Sequence, residues 1–207
     1  MSSKGPTFER EICKKLSLWW SRGLDEEEES DAYFWRTSNS GGRASIRCKG
    51  GLRTFGQYGD IAATDPKGQK FLDFVTVELK RGYSKVTPYD LVDRPLKSAI
   101  QGFEEWIAQA VLAHKRAKSV SWLLITKRDK RSMMAFTPWD LVESLREVGC
   151  FHPYPCPMLR VLCKVRLGFD KFVKDEVVDV VGMPLERWLD EVTPNAVKKV
   201  LKLESFP

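Results

Sequence analysis

The stretch Phe71–Gly82, FLDFVTVELKRG, constrains the fold most. Its apolar and β-branched residues, closed by a glycine, predict a buried strand. Side chains alternate faces along a strand, so Val75, Val77 and Leu79 share one face while Thr76, Glu78 and Lys80 share the other. Two opposite charges side by side at the end of such a strand have two readings. Either the strand finishes at the surface with an ion pair, or the strand end carries chemistry.

The flanking sequence supplies partners for this strand. Residues 7–22 predict a helix, with Phe8, Ile12, Leu16 and Trp19 at helical spacing. The four consecutive glutamates that follow read as a solvated loop, because like charges repel when packed. AYFWRTS and DIAAT read as short strands, and DPKGQK as a turn between DIAAT and the third strand. Residues 93–117 predict a long helix with Leu96, Ile100, Phe103, Ile107 and Val111 as its apolar stripe. SVSWLLIT and MMAF read as strands. TPWDLVESLREV reads as a helix with Thr137 as N-cap and Pro138 at the first helical position. Past Gly149 a Pro-rich connector leads to a strand over residues 158–165 and two short helices, PLERWLDEV and TPNAVKKVLKL. This order predicts an α/β fold, a mixed sheet flanked by helices, with a short α/β C-terminal extension. Residues 1–149 read as the core and residues 150–207 as the extension, of unassigned role and packed on that core.

Composition excludes several classes. No apolar run approaches the ~18 residues that span a bilayer, and MSSKGPTFERE lacks the apolar core of a signal peptide, so the expected location is cytoplasmic. Five cysteines favour reduced thiols over a disulfide framework, and two histidines exclude chemistry built on several of them. Cys150, His152, Cys156 and Cys163 have the chemistry of zinc ligands. They lack the paired Cys-x-x-Cys spacing, and Cys163 falls in a predicted strand, which argues against structural zinc. A net charge of +6 permits an anionic partner.

Asp60 opens the strand before Glu78. If the two strands pair as a hairpin, the two carboxylates approach one another. Close carboxylates repel unless a cation or a proton intervenes. Oxygen ligands of this kind suit Mg²⁺, which takes one or two carboxylates and completes its shell with water and phosphate oxygens. Lys80, beside them, could orient or help deprotonate an attacking water. These are the parts of metal-assisted phosphodiester hydrolysis.

GD followed after a turn by ELK resembles the PD-(D/E)XK nuclease superfamily, the restriction-endonuclease-like fold. Within it, KGPTFERE and WRTSNSGG resemble the first helix, following strand and Ser-bearing turn of archaeal-type Holliday-junction resolvases. The resemblance covers residues 4–130. It implies an Mg²⁺-dependent DNA endonuclease, with Mn²⁺ able to substitute, that leaves a 5′-phosphate and a 3′-hydroxyl and serves DNA recombination and repair. Carried over residue by residue, it implies that Asp60 and Glu78 bind the metal. It implies further that Glu9 binds the metal or its water shell, that Lys80 positions the nucleophile, and that Ser40, or Ser38 beside it, is the turn serine. Gly59 stands where the motif has Pro. The segment between Gly41 and Gly59 is longer than in compact resolvases, which leaves the substrate's shape open. The extension past Gly149 matches no part of that family; such extensions are familiar in phage-encoded nucleases, which admits a phage or prophage source. Branched DNA, a four-way junction, is the implied partner, cut by a homodimer. Seven Trp add a hint of an interface, since one core need not bury Trp19, Trp20 and Trp106 together. Another nuclease on this fold, of restriction or repair type, and a non-catalytic DNA-binding module remain the alternatives.

Residues 36–58 carry Arg36, Arg43, Arg47, Lys49 and Arg53 with many glycines and no acid. A flexible surface loop and a DNA arm that neutralises phosphates both fit, and its place between active-site elements favours the arm. The basic runs at 115–118 and 127–131 either border the same surface or, as each alone more often does, simply end a solvated helix or strand. Gln109, off the apolar stripe of its helix, reads as exposed.

Overall fold

The computed structural model describes residues 4–24, 31–37, 58–83, 85–93, 102–152, 158–169 and 172–204. Six α-helices and seven strands occur among them. In chain order they are α1 (Lys4–Ser21), β1 (Phe34–Arg36), β2 (Ile61–Ala63), α2 (Pro66–Phe74), β3 (Val75–Arg81), α3 (Gly102–Ala117), β4 (Ser121–Lys127), β5 (Met133–Pro138), α4 (Trp139–Glu147), β6 (Leu159–Phe169), β7 (Phe172–Pro184), α5 (Leu185–Glu191) and α6 (Pro194–Glu204). A 3₁₀ turn spans Pro88–Leu91. None of the described helices is long and apolar enough to cross a membrane.

The central sheet runs β3-β4-β5-β7-β6, with β3 and β4 parallel and the other pairs antiparallel. Parallel neighbours need a crossover; α3 lies in the one between β3 and β4. Strand alternation then divides the apolar side chains between two cores. Val75, Val77 and Leu79 of β3 and Leu123 and Ile125 of β4 pack with α1, α2, α4, α5 and α6. Trp122 and Leu124 pack with Phe103, Ile107 and Val111 of α3. Helices thus flank a mixed sheet on both faces, as in the restriction-endonuclease-like fold. Thr76, Glu78 and Lys80 alternate with the first core's residues and share the face that α3 covers.

Two local expectations fail. DPKGQK is no turn, and Phe71–Phe74 are no strand; both belong to α2. Asp65 caps this helix by accepting from the Lys67 N–H at 2.7 Å, and Pro66 follows at the first position, where a missing N–H costs nothing. Phe71 and Phe74 lie three apart on one helical face and are fully buried. The strand begins at Val75. Likewise Thr137 is not an N-cap: its hydroxyl donates to the Trp122 carbonyl at 2.9 Å, which fixes it in β5 and delays α4 to Trp139.

Residues past Gly149 enter the same sheet. β7 pairs with β5 through Met134↔Pro184 to Pro138↔Val180. At Gly182 it has no side chain where the Phe136 ring lies; a Cβ there would come within 2.4 Å of that ring. Trp19, Trp20 and Trp106 are all buried within this single chain, so these three carry no argument for an interface.

β2 pairs with β1, not with β3, so Asp60 does not reach Glu78 through a hairpin. It docks on β3 instead. The Asp60 N–H donates to the Val77 carbonyl at 2.8 Å, and the Leu79 N–H donates to Asp60 Oδ2 at 2.7 Å. The approach depends on Gly59, whose φ is +78° and whose added Cβ would lie 2.5 Å from the Val77 carbonyl. Proline, fixed near φ −65°, could not take this conformation. Gly59→Ala is therefore expected to cost about 1–3 kcal/mol of stability, the range for a strained backbone position. Function should suffer more than folding, because Asp60 is what the strain displaces. Chemical denaturation and cleavage assays on the same variant check both.

Candidate active site

The end of β3 opens into a cleft of about 510 Å³. Asp60 and Glu78 form its buried floor, at 6% and 8% exposure. Lys80 stands beside them, with Nζ 3.6 Å from Glu78 Oε2. Glu9 of α1 lines one wall, and Gln109 and Arg116 of α3 line the opposite one. Three separate segments of sequence, near residues 9, 60 and 78–80, thus meet at one place.

The two floor carboxyls are close enough to affect each other's ionisation, and both are held above the ordinary carboxylate range. Burial is the main reason. It pushes the Glu78 carboxyl up to about 8, and the neighbouring Asp60 charge pushes the same way, while Lys80 opposes. Burial raises Asp60 as well, against the Leu79 N–H bond and Lys80, both of which favour its ionised form. One lysine is therefore not enough to let both acids ionise. A bound divalent cation would complete the neutralisation, and hard oxygen donors beside an open cleft fit such an ion. Among the described residues no three His, Cys, Asp or Glu side chains form a ready-made cage. A carboxylate pair beside an open cleft leaves room for water and phosphate around a divalent cation.

The other sequence-predicted residues fall out as follows. Glu9 is half-buried on the cleft wall, where its Oε2 accepts from Arg36 Nη1 at 3.0 Å. Arg36, expected to touch DNA, thus holds Glu9. Ser38, Ser40, Arg43, Arg47, Lys49 and Arg53 lie outside the described residues, as do Leu96 and Ile100 of the predicted helix stripe and the glutamate run. The described residues on either side of that segment, Thr37 and Tyr58, stand at the cleft. The Thr37 N–H donates to the Asp60 carbonyl at 3.0 Å, its hydroxyl to the Gly59 carbonyl at 3.1 Å, and Tyr58 lines the cleft. Gln109 is exposed, as expected, but exposed into the cleft. Arg116 comes from the basic run 115–118, whose composition marked it without showing where it pointed. Arg81 also lines the cleft; its Nε is buried without a hydrogen-bond partner, and its guanidinium lies 5.8 Å from the Phe8 ring centroid.

The candidate zinc ligands do not converge. Cys150 is buried in the core on the α1 side of the sheet, Cys163 in the core on the α3 side, and Cys156 lies outside the described residues. His152 is exposed. Burial pushes the Cys150 thiol up to about 11, the state of an inert structural cysteine.

The chain matches no curated protein and no solved structure. It does match a family model described as "Phage putative PDDEXK endonuclease", over residues 1–199. That span includes the cleft, all seven strands and the C-terminal helices as far as α6. The protein accordingly belongs to this phage endonuclease family, within the PD-(D/E)XK nucleases that the residues around Asp60 and Glu78 resemble.

Proposed function

We propose that this endonuclease uses Mg²⁺, with Mn²⁺ able to substitute, and resolves four-way DNA junctions as a homodimer. The observation that carries the metal reading is the buried Asp60–Glu78 pair, with Lys80 Nζ 3.6 Å from Glu78, at the floor of an open cleft. Nucleases of this superfamily generally use divalent metals. Asp60 and Glu78 would hold the ion, and Glu9 would reach its water shell from the cleft wall. A cation held there would neutralise both carboxylates and supply Lewis-acid polarisation of the scissile phosphate.

The chain's own groups do the rest. The Leu79 N–H fixes one oxygen of Asp60, which leaves the other for ligation. Lys80 directs the attacking water and favours its deprotonated form. Arg81 and Arg116 border the path of the phosphate backbone and offset its charge. The water oxygen bonds to phosphorus, the bond to the 3′ oxygen breaks, and that oxygen takes up a proton; a 5′-phosphate and a 3′-hydroxyl result. Arg43, Arg47, Lys49 and Arg53 serve as the DNA arm, with Ser40 as the turn serine, a reading supported by their place in the sequence between Thr37 and Tyr58. Residues 150–207 act as a structural extension of the 1–149 core, a reading supported by the pairing of β7 with β5.

The junction preference rests on the resemblance of KGPTFERE and WRTSNSGG to the resolvases. Paired strands of like polarity need two symmetric cuts, which one active site per chain supplies only as a two-fold dimer.

Asp60→Asn and Glu78→Gln should each abolish cleavage in Mg²⁺ or Mn²⁺ while leaving DNA affinity intact or higher, because each removes negative charge beside a phosphate. Gel-shift and cleavage assays on the same preparations check this, and near-normal turnover by either variant contradicts the ligand assignment.

The raised Glu78 carboxyl sets a pH dependence. The folded, metal-free protein keeps its proton up to about pH 8, whereas the unfolded chain loses it near the ordinary carboxylate value. The folded state therefore binds more protons across that window, and metal-free stability should fall as pH rises from about 5 to 8. Glu78→Gln should flatten the fall and raise Tm at pH 8. Divalent cation should raise Tm more at pH 8 than at pH 6. Thermal melts with and without EDTA read all three.

Junction, flap, duplex and single-stranded substrates, each offered with Mg²⁺, should show paired symmetric cuts in the junction above the rest. Light scattering should give a mass near twice the 23.7 kDa chain. A monomer that forms no dimer on junction DNA, with duplex or single strands cut best, favours a restriction or repair nuclease.

A further inference from the structure

A second cleft, of about 460 Å³, adjoins the first and shares Lys80 and Tyr83 with it. Its volume is in the range that encloses small ligands. Its inner wall is a ladder of rings. Tyr83 meets Trp106 edge-on at 5.1 Å between centroids, Trp106 meets Phe103 at 5.4 Å, and Phe103 meets Phe136 at 4.9 Å. The last three are buried; Tyr83 is 53% exposed. Across from them stands Tyr89, 77% exposed, on the 3₁₀ turn Pro88–Leu91. That turn is well held. The Thr87 N–H donates to Asp90 Oδ2 at 3.1 Å, the Asp93 N–H donates to the Tyr89 carbonyl at 2.8 Å, and Leu91 is buried. Tyr89 is thus presented to solvent by a fixed platform, with Val92 beside it at 70% exposure.

Single exposed apolar residues need no explanation. Here Tyr83, Tyr89 and Val92 gather around one concavity, which does. Its rim is cationic: Lys80, Lys127 and Arg128 line it, and Lys127 Nζ lies 3.8 Å from Glu11 Oε1. Aromatic faces beside cations suit a nucleotide, whose base stacks while its flanking phosphates meet the charges. An apolar small molecule would have no use for the cations. Continuity with the carboxylate cleft gives the direction, since a strand whose phosphate lies over Asp60 and Glu78 passes Lys80 and Tyr83 to reach Tyr89.

We propose that this cleft receives one unstacked nucleobase of the strand being cut, from a nucleotide next to the scissile phosphate, seated against Tyr83 and Tyr89. The inference rests on the DNA-nuclease reading of the adjoining cleft and specifies its substrate. A base leaves the stack at least cost where it is unpaired or poorly stacked. The subsite therefore selects DNA with strained or open bases at the cut over uniform duplex.

The test is an abasic scan. Branched DNA with a single abasic nucleotide, moved one position at a time past the cleavage point, is titrated against the wild-type protein in Ca²⁺. One position is expected to raise Kd by roughly 5- to 150-fold, the span of base–aromatic stacking for a single base. Tyr89→Phe should keep that peak. Tyr89→Ala, at a site exposed enough to spare the fold, should bind intact DNA more weakly and lose the peak. A flat wild-type scan, or a peak unchanged in Tyr89→Ala, overturns the proposal. So does a flat scan in which Tyr89→Ala alters the oligomeric mass, which assigns the cleft to a second copy of the chain. Cleavage in Mg²⁺ separates the two readings: metal-dependent cutting with a flat scan sinks only the base subsite. Failure of the wild type to bind or cut any DNA sinks the nuclease reading with it.

Discussion

The grip of Asp60 on the edge of β3 is the contact on which the site depends. β3 is the last strand of its sheet and exposes a row of backbone groups on its free side. Such an edge usually pairs with another strand or is blocked. Here a single residue takes the place of a strand. Its N–H bonds to the Val77 carbonyl and its carboxylate accepts from the Leu79 N–H, so backbone and side chain bracket Glu78. The carboxylate is positioned by the bonds that close the sheet, and misplacing it means breaking them. Gly59 makes the approach possible, and Thr37 ties the β1 end to the same point through the Gly59 and Asp60 carbonyls.

That geometry forces two carboxyls into a buried space that a single lysine only partly neutralises. Burying a charge without full compensation is costly, and the ordinary relief is to take up a proton. Both acids have shifted in that direction. A strand that merely ended in a surface ion pair would need Glu78 and Lys80 and no second acid. Asp60 makes the pair net negative, and that excess is what an ion pair alone does not explain. The imbalance favours a site meant to be completed by a cation, with its stability set aside for function.

Much of this was legible in the sequence, because strand alternation is a strong signal. It put Glu78 and Lys80 on one face of β3 and Val75, Val77 and Leu79 on the other, and the two cores follow that division. The failures have local causes. Phe74 runs into Val75 with no polar residue or breaker between them, so the helix-to-strand boundary leaves no mark; the helix is marked only at its start by Asp65-Pro66, a pair that reads equally as a turn and as a helix start. β7 carries a weak strand signal, because VGMPL ends it as it would a loop, although Gly182 is there to admit the Phe136 ring. Arg116 sat in a basic run whose facing only the packing of α3 decides. The aromatic cleft gave no signal at all, since Tyr83, Tyr89 and Trp106 come from three separate segments.

The C-terminal segment bears on the site through α1. Glu9 can face Asp60 and Glu78 only if α1 is held at a fixed height over the sheet, and β3 meets just one side of that helix. β1 and α2 hold it too, through the Phe34 N–H to Ser17 Oγ at 3.0 Å and Trp20 Nε1 to the Lys67 carbonyl at 3.0 Å, and a further set of contacts comes from beyond residue 149. Trp19 Nε1 donates to the Leu189 carbonyl at 2.9 Å, Lys15 pairs with Glu186 at 2.7 Å, and Lys198 Nζ donates to the Gly23 carbonyl at 2.5 Å. Trp188 packs against Trp19 at 5.6 Å between ring centroids. The exposed ion pair adds little by itself. The buried tryptophans supply the rigidity, since large aromatic rings dominate core packing. A compact nuclease could hold its first helix by other means. In this chain α5 helps β1 and α2 hold the helix that carries Glu9, so the extension takes part in the geometry of a cleft to which none of its described residues contributes lining.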